Sequence, residues 1–235
     1  MTPQNLDALL EKWTLQVAQQ PQGGWEILAP ETMESSGGAT LSKLADNSIL
    51  AGGANPGKDI YEITSRTSKG KLTAVRLEAL THKTLPGGGP GRHSNSNFVL
   101  SELELTATSV KNPSQNQVVK FAQAKADYSQ SKYEVSRAID GTVANSNGWA
   151  VDGPTRKQPA TAMFIAATPF GYEGGTLLRF RLRHEADFAT HSVGRPRLSV
   201  TADPSGLLQL EGIPADIRGI AAITADKRTK PQSDR

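Results

Sequence analysis

The sequence predicts an all-β protein built as an antiparallel β-sandwich of the jelly-roll type. From about residue 23 to residue 202, apolar and polar residues alternate in short segments, which is the side-chain period of a half-buried strand. Clusters of Gly, Pro, Asn and Ser separate these segments, and the chain carries 22 Gly and 14 Pro. We find no long helical pattern between them. Many short alternating strands with frequent turns are typical of sandwiches and jelly rolls rather than of βαβ units.

Nine strands are predicted from the alternation. They are Trp25–Leu28, Ser48–Ala51, Ile60–Thr64, Leu72–Leu80, Phe98–Thr106, Val118–Ala124, Thr161–Ala166, Thr176–Arg183 and Arg197–Thr201. The alternating region defines a β-sandwich module over residues 23–202.

Helical flanks are predicted on both sides of the module. Apolar residues recur at helical spacing within residues 3–18, so residues 1–22 form an N-terminal flank with a helix. Residues 203–235 form a C-terminal flank with a short helix over 213–224 and a polar tail expected to be disordered. A helix before and after one β-domain is typical of a domain inserted into a larger protein.

Composition excludes several classes of site. The chain has no Cys, which excludes disulfides, thiolate metal sites and covalent haem attachment. No apolar run approaches the ~20 residues of a membrane span, and the first residues lack the pattern of a secretory signal. The net charge of +3 is too small to indicate a nucleic-acid partner.

Catalytic patterns are weak, so we predict that the protein is not an enzyme. No G-x-S-x-G turn occurs, and the HEADFATH segment misses the H-E-x-x-H spacing of a zinc site. The histidines, His82, His93, His184 and His191, fall in separate segments and are interpreted as surface or turn residues. The PGGGPGR run, residues 86–92, lacks the ending of a phosphate loop and predicts a tight connection.

A pair of carboxylates lies on one predicted strand. Glu102 and Glu104 are two residues apart, so their side chains share a face at about 7 Å, twice the rise per residue of a strand. That separation falls within the ~5–9.5 Å of glycosidases. Carboxylates spaced along one strand are more often a solvated face, which is the interpretation we adopt.

The segment AIDGTVANSNGWA, residues 138–150, is dense in short oxygen-bearing side chains. Such a loop can hold Ca²⁺, which takes six to eight oxygen ligands. The candidate ligands are Asp140, Thr142, Asn145 and Asn147, with Glu102 as a remote fifth. The alternative is that Asp and Asn fold back on their own backbone as Asx-turns and bind no metal.

Arginines alternate with apolar residues in two predicted strands. Arg179, Arg181 and Arg183 share one face of their strand, and Arg195 and Arg197 share one face of theirs. If the strands are neighbours, five guanidinium groups form a face that could bind acidic or sulfated polysaccharide. The alternative is cross-strand ion pairing with the outward carboxylates, which are Glu78, Glu102 and Glu104.

Few aromatic residues are available as stacking platforms for sugar rings. Trp149, Tyr172 and Tyr133 lie in predicted loops and are the candidates. For Trp149 the alternative is that the indole plugs the end of the sandwich.

Four ordered segments carry a resemblance to a known family. They are residues 46–63 (DNSILAGGANPGKDIYEI), 72–107 (with LEAL, LPGGGPGR and NFVLSE), 138–150 (AIDGTVANSNGWA) and 193–201 (VGRPRLSVT). Together they resemble the galactose-binding-like β-sandwich module found within large secreted cytochrome-c-type proteins of planctomycetes. The segment 138–150 resembles a loop of discoidin-like (galactose-binding-like) carbohydrate-binding modules, where such loops often hold structural calcium.

The resemblance implies a non-catalytic, galactose-binding-like module located in the periplasm or outside the cell. It implies polysaccharide as the ligand, possible structural Ca²⁺, and flanking domains of a parent protein as partners, with no haem in this chain. We therefore expect a carbohydrate-binding module. The alternative is a structural domain that packs on flanking redox domains without binding glycan.

Overall fold

Alternating apolar residues direct the chain into two antiparallel sheets that pack face to face. The computed structural model describes residues 24–143 and 145–203. The strands are β1 (Glu26–Ile27), β2 (Pro30–Ser35), β3 (Ala39–Lys43), β4 (Ile49–Gly53), β5 (Asp59–Thr67), β6 (Leu72–Ala79), β7 (Val99–Leu100), β8 (Glu102–Ser109), β9 (Asn116–Val118), β10 (Phe121–Ala126), β11 (Trp149–Ala150), β12 (Ala160–Phe170), β13 (Thr176–His184) and β14 (Pro196–Thr201). Two short 3₁₀ turns span Pro86–Gly88 and Val135–Ala138.

Each main sheet contains five strands, and all their pairings are antiparallel. Sheet I has the order β1-β14-β6-β12-β10, and sheet II has the order β2-β5-β13-β8-β9. Two small ribbons, β3-β4 and β7-β11, complete the described strands. The fold is therefore the predicted antiparallel β-sandwich.

The core lies between the two sheets. Leu178, Phe180 and Leu182 of β13 are fully buried, as are Leu77 of β6 and Phe164 of β12 on the opposite sheet. These residues belong to one apolar cluster. Since side chains alternate along a strand, the residues between them point to the outer faces, where the arginines of β13 lie. Burial of this cluster is the main favourable contribution to folding.

Every predicted strand corresponds to at least one strand of the structure. Two predicted strands are each divided in two: residues 98–106 become β7 and β8, and residues 118–124 become β9 and β10. The pattern missed β2 and β3, which carry few apolar residues, and β11, which is too short at two residues to show an alternation. The helices predicted over 3–18 and 213–224 lie outside the described residues.

Long connections gather at one end of the sandwich. The links β6–β7, β11–β12 and β13–β14, together with the segment between β10 and β11, all leave or enter the sheets at this end. Connections at the other end, such as residues 68–71 and 171–175, are short. Loops held by a rigid scaffold are where binding residues concentrate, so this end is the place to search for a site.

Within the described range, no helix has the length and apolar character needed to cross a membrane.

Candidate functional site

Four segments at the long-loop end enclose a pocket of about 280 Å³. Asn95 and Asn97 come from the β6–β7 loop, and Gln130 and Tyr133 come from the segment after β10. The remaining wall is formed by Val99, Ala150, Phe188 and His191. We call these eight residues the loop-end pocket. It combines aromatic rings with amides, the mixture that ligand sites commonly present.

The amides of the pocket are fixed by hydrogen bonds to each other and to the backbone. The Asn97 side chain donates to Gln130 Oε1 at 2.9 Å and accepts from the Val151 N–H at 3.1 Å. Gln130 Oε1 also accepts from the Asp152 N–H at 3.1 Å. Asn95 Oδ1 accepts from the Asn97 N–H at 2.9 Å. These contacts use the oxygens and leave the Nε2 of Gln130 and the Nδ2 of Asn95 as donors for a ligand.

Aromatic rings form the other side of the loop-end pocket. Tyr133 and Phe188 are half-buried and pack edge to face, with 5.7 Å between ring centroids. Phe188 also contacts His191 at 5.9 Å, and His191 stacks on His93. Nδ1 of His191 donates to Ala189 O at 2.9 Å, because a carbonyl can only accept. The Nε2 of the neutral ring is therefore an acceptor.

Trp149 is a core residue and not a stacking platform. Its side chain is fully buried, it packs edge to face on Phe98 at 5.1 Å, and its Nε1–H donates to Tyr128 O at 3.0 Å. The alternative of a plug at the end of the sandwich is the correct one for this residue. A sugar ring has no access to the indole, so Trp149 is removed from the candidate ligand contacts.

The expected five-arginine face does not form. Arg179, Arg181 and Arg183 lie on β13 in sheet II, whereas Arg195 precedes β14 and Arg197 lies on β14 in sheet I. The two sheets pack through their inner faces, so their outward side chains lie on opposite sides of the molecule. Sequence alone could not exclude neighbouring strands, because β13 and β14 follow each other along the chain.

The arginines of sheet II are ion-paired along the strand register. Arg179 Nε contacts Glu62 Oε1 at 2.7 Å, and Arg181 Nη1 contacts Glu104 Oε2 at 2.6 Å. Arg183 contacts Glu104 at 2.8 Å and also pairs with Glu185. Each guanidinium of this strand therefore has a carboxylate partner within the protein.

The arginines of sheet I are paired in the same way. Arg197 forms a two-pronged pair with Glu78, with both contacts at 2.8 Å. Arg195 Nη2 contacts Asp46 Oδ2 at 2.8 Å. The pKa of Asp46 is lowered, although burial opposes that shift, because Ser48 donates to the carboxylate and both arginines lie nearby. The alternative of cross-strand ion pairing is therefore the correct one for Glu78 and Glu104.

The residues predicted to bind calcium are brought together only in part. Asn147 Nδ2 lies 2.7 Å from Thr142 O, 3.2 Å from Arg137 O, and 3.0 and 3.3 Å from the two oxygens of Asp140. The Thr142 N–H donates to Asp140 Oδ1 at 2.8 Å, which is the Asx-turn alternative. Asn145 does not join this cluster through any side-chain contact found in the described residues; its carbonyl accepts from the Asp187 N–H.

Glu102 lies at the edge of the same loop. It is 9% exposed, and its Oε2 accepts from the Gly141 N–H at 3.2 Å. Burial, with a smaller contribution from the charges of Asp140 and Glu104, raises the pKa of Glu102 to about 7, against the lowering effect of the Gly141 hydrogen bond. Among the described residues there is no cluster of three or more Asp, Glu, His or Cys side chains placed to hold a metal. Any metal here depends on backbone carbonyls as well.

Tyr172 lies at the wrong end of the molecule for the loop-end pocket. It precedes β13, whereas Phe188 follows β13, so the two aromatics are at opposite ends of that strand. Of the aromatic candidates only Tyr133 reaches the pocket. The residues missed from sequence are Asn95, Asn97, Gln130, Phe188 and His191. The usable signal was loop length, because the long connections all fall at one end of an antiparallel sandwich.

Comparisons with known proteins give only remote similarities. Neither a family model nor a curated protein matches the chain. Among solved structures, a carbohydrate-binding module studied for specific mannan recognition is similar with 9% identity and a TM-score of 0.26, covering 75% of this chain and 86% of that chain. A structure from a study of promiscuous specificity in β-sandwich carbohydrate-binding modules has 9% identity and a TM-score of 0.18, covering 68% of this chain and 56% of that chain.

Proposed function

We propose that the protein is a non-catalytic carbohydrate-binding module whose glycan site is the loop-end pocket. The observation that carries the proposal is the convergence of Tyr133 and Phe188 with the amides of Asn95 and Gln130 in one pocket of about 280 Å³. A sugar presents apolar C–H groups on the face of its ring and hydroxyls around the edge. Aromatic rings match the first feature and amides match the second.

Binding in this pocket needs no covalent step. The Tyr133 ring accepts the sugar face, while Gln130 Nε2 and Asn95 Nδ2 donate to hydroxyl oxygens. His191 Nε2 accepts from a hydroxyl hydrogen. The amides are already fixed by their oxygens, so little side-chain freedom is lost when a sugar binds. The pocket therefore favours a neutral sugar recognised by hydrogen bonds and ring contact.

The sequence also suggests a more specific hypothesis, in which the arginines of the strands select acidic or sulfated polysaccharide. Each of those arginines already has a carboxylate partner, which an anionic ligand would have to displace. We therefore place the primary glycan contact at the loop-end pocket. Binding to carboxylated and sulfated oligosaccharides in the experiment below tests the arginine hypothesis.

The test is binding of the whole chain to an array of neutral, carboxylated and sulfated oligosaccharides, followed by calorimetric titration with the strongest ligand. Tyr133→Ala should weaken binding at least tenfold. Tyr172→Ala is the matched control, because it removes the same side chain at the opposite end of β13, and it should bind like the wild type.

Two results would overturn this proposal. An equal loss of affinity in both tyrosine variants would place the site elsewhere. No binding to any glycan by a correctly folded protein would favour the alternative, a structural domain that packs on flanking redox domains. The resemblance to secreted cytochrome-type proteins supports a location in the periplasm or outside the cell for either role.

We further propose that the loop over residues 137–147 holds a structural Ca²⁺. An amide nitrogen has two hydrogens, yet Asn147 Nδ2 faces four oxygens of three residues within 3.3 Å. The oxygens around Asn147 Nδ2 outnumber its hydrogens, so a cation would suit this cluster better than an amide donor does. The ligands would be the Asp140 carboxylate, the carbonyls of Arg137 and Thr142, and Glu102. The Asn147 side-chain oxygen, which accepts from Arg137 Nη1 at 3.2 Å, would join them after the amide turns over and exchanges its oxygen with Nδ2. Bound Ca²⁺ would fix the loop beside the core Trp149.

Calorimetry with Ca²⁺ and with a chelator tests the metal. A metal that binds only the folded state raises the melting temperature by mass action. We expect that rise in the wild type and in Asp187→Ala, a matched control whose carboxylate is exposed. We expect none in Asp140→Ala. An unchanged wild-type midpoint would leave the Asx-turn alone to hold the loop.

A further inference from the structure

Arg92 has a buried guanidinium that pairs with no carboxylate of the described residues. The residue is 7% exposed, and no Asp or Glu in the described part of the chain lies within ion-pair distance of it. Burying a charge is unfavourable unless an opposite charge or several hydrogen bonds compensate it. Arg92 therefore differs from the arginines of β13 and β14, which are all paired.

The contacts that Arg92 makes are neutral. Its Nη2 donates to the carbonyls of Gly52, Gly53 and Ala54 at 3.0, 3.1 and 2.8 Å. Its Nη1 is buried and makes no hydrogen bond of regular geometry, although the neutral Tyr61 hydroxyl lies close to the guanidinium. Carbonyl oxygens carry only partial charge, so they orient the guanidinium without neutralising it.

The described residues packed behind Arg92 do not supply an anion either. Burial, together with the nearby Arg92 charge, lowers the pKa of His184 to about 3, so the imidazole is neutral. Burial raises the pKa of Tyr61, which keeps the phenol protonated. The nearby Asp59 carboxylate is occupied by Ser35 Oγ at 2.7 and 2.8 Å and by the Gly37 N–H at 2.9 Å.

On its other side Arg92 lines a pocket of about 320 Å³ between the end of β4 and the β6–β7 loop. Leu50, Leu85 and Pro86 form apolar walls, and Asn55 lies beside Arg92. Asn55 Oδ1 is a buried acceptor with no partner, while its Nδ2 donates to Arg92 O at 3.1 Å. We call this the Arg92 pocket. It is distinct from the loop-end pocket, with which it shares no lining residue.

We propose that the Arg92 pocket binds the carboxylate of a monosaccharide-sized ligand, such as a hexuronic acid. The carboxylate would pair with the buried guanidinium, where low dielectric strengthens the attraction. The Nη2 of Arg92 already donates to carbonyls, so little of the guanidinium is open to a ligand. A carboxylate, which is planar and has two oxygens, fits that space better than a bulkier sulfate ester. The apolar walls would contact the sugar ring, and Asn55 Oδ1 would accept from a hydroxyl. The site does not depend on glycan binding in the loop-end pocket.

Calorimetric titration of the whole chain with galacturonate, galactose, galactose 6-sulfate and acetate tests the proposal. We expect galacturonate to bind at least tenfold more tightly than galactose or the sulfate ester, and acetate to compete with it. Leu50→Trp should fill the pocket without touching the Arg92 charge and weaken galacturonate binding at least tenfold. The matched control is Val118→Trp, which adds the same ring at a 63% exposed position and should bind normally.

Arg92→Gln removes the charge and should abolish the preference for galacturonate over galactose, with circular dichroism confirming the fold. Equal affinity for galacturonate and galactose in the wild type overturns the proposal. So does galacturonate binding that survives Leu50→Trp unchanged. Tighter binding of the sulfate ester would overturn the choice of carboxylate.

Discussion

The imidazole rings of His93 and His191 are stacked, with 3.9 Å between centroids and 14° between planes. They come from the β6–β7 and β13–β14 loops, which meet at the long-loop end of the sandwich. Burial lowers the pKa of His191, and the proximity of His93 lowers it further. Two protonated rings in this stack would repel each other, so the pair is favoured when His191 is neutral.

The first prediction concerns the His191 titration. Its pKa should lie below 6.5, and His93→Gln should raise it because the repulsion is removed. The pKa of His191 is lower in the folded protein than in the unfolded chain. The stabilisation that comes from the neutral ring is therefore present above pH 6.5 and is lost as the pH falls through the folded-state pKa. Proton NMR of the imidazole signals against pH measures both values. An equal or lower pKa in His93→Gln would contradict the coupling.

The second prediction separates a core aromatic from a site aromatic. Trp149→Ala should destabilise the fold by about 3–5 kcal/mol, since it opens a cavity against Phe98. Tyr133→Ala should cost much less, because Tyr133 is only half-buried. Urea unfolding of both variants measures the difference. Comparable stability losses would show that the pocket wall is part of the core.

The third prediction concerns the sheet II arginines. Arg181→Ser should lower stability by no more than about 1 kcal/mol, because its pairs with Glu62 and Glu104 are partly exposed. The cost should shrink as salt is added. Glycan affinity should be unchanged, with Gln123→Ser as an exposed control on sheet I. A selective loss of binding to sulfated glycan would restore the arginine face as a ligand surface.

The fourth prediction concerns acid stability. His184 is neutral with a pKa of about 3, so the unfolded chain binds its proton first as pH falls below 6.5. The wild type should therefore lose about 2 kcal/mol between pH 6.5 and pH 5 from this residue. His184→Phe keeps the ring beside Tyr61 and should lack that component. Denaturant unfolding at the two pH values measures the free energy of unfolding of both proteins. An equal loss of that free energy in the wild type and in His184→Phe would contradict the prediction.

The fifth prediction concerns the glycines of the long loops. A Cβ on Gly91 would lie 1.9 Å from Asn97 O, so Gly91→Ala must displace the segment that carries the pocket amides. Gly57→Ala is the control, because the nearest atom would be at an ordinary 3.8 Å. Thermal unfolding should show a large loss for the first and little change for the second. A stable Gly91→Ala would mean that the loop is less tightly packed than its contacts indicate.

The fold class followed from the sequence because strand alternation is local. The two-residue spacing of Leu178, Phe180 and Leu182 predicts that they share a buried face, and the structure places them in the core. The tight connection predicted for residues 86–92 also agrees with the close approach at Gly91. Strands with little apolar content, such as β2 and β3, gave no such signal.

The sequence by itself determined which side chains face inward and which face outward along each strand. Only the tertiary structure decided which strands share a sheet, and it placed Arg181 and Arg197 on opposite sheets. It also brought His93 to His191 and Gln130 to Asn97, and among the residues it describes it gave Arg92 no counter-ion. The reason is physical: side-chain direction depends on neighbours in the chain, whereas the proximity of distant loops depends on how the two sheets pack as a whole.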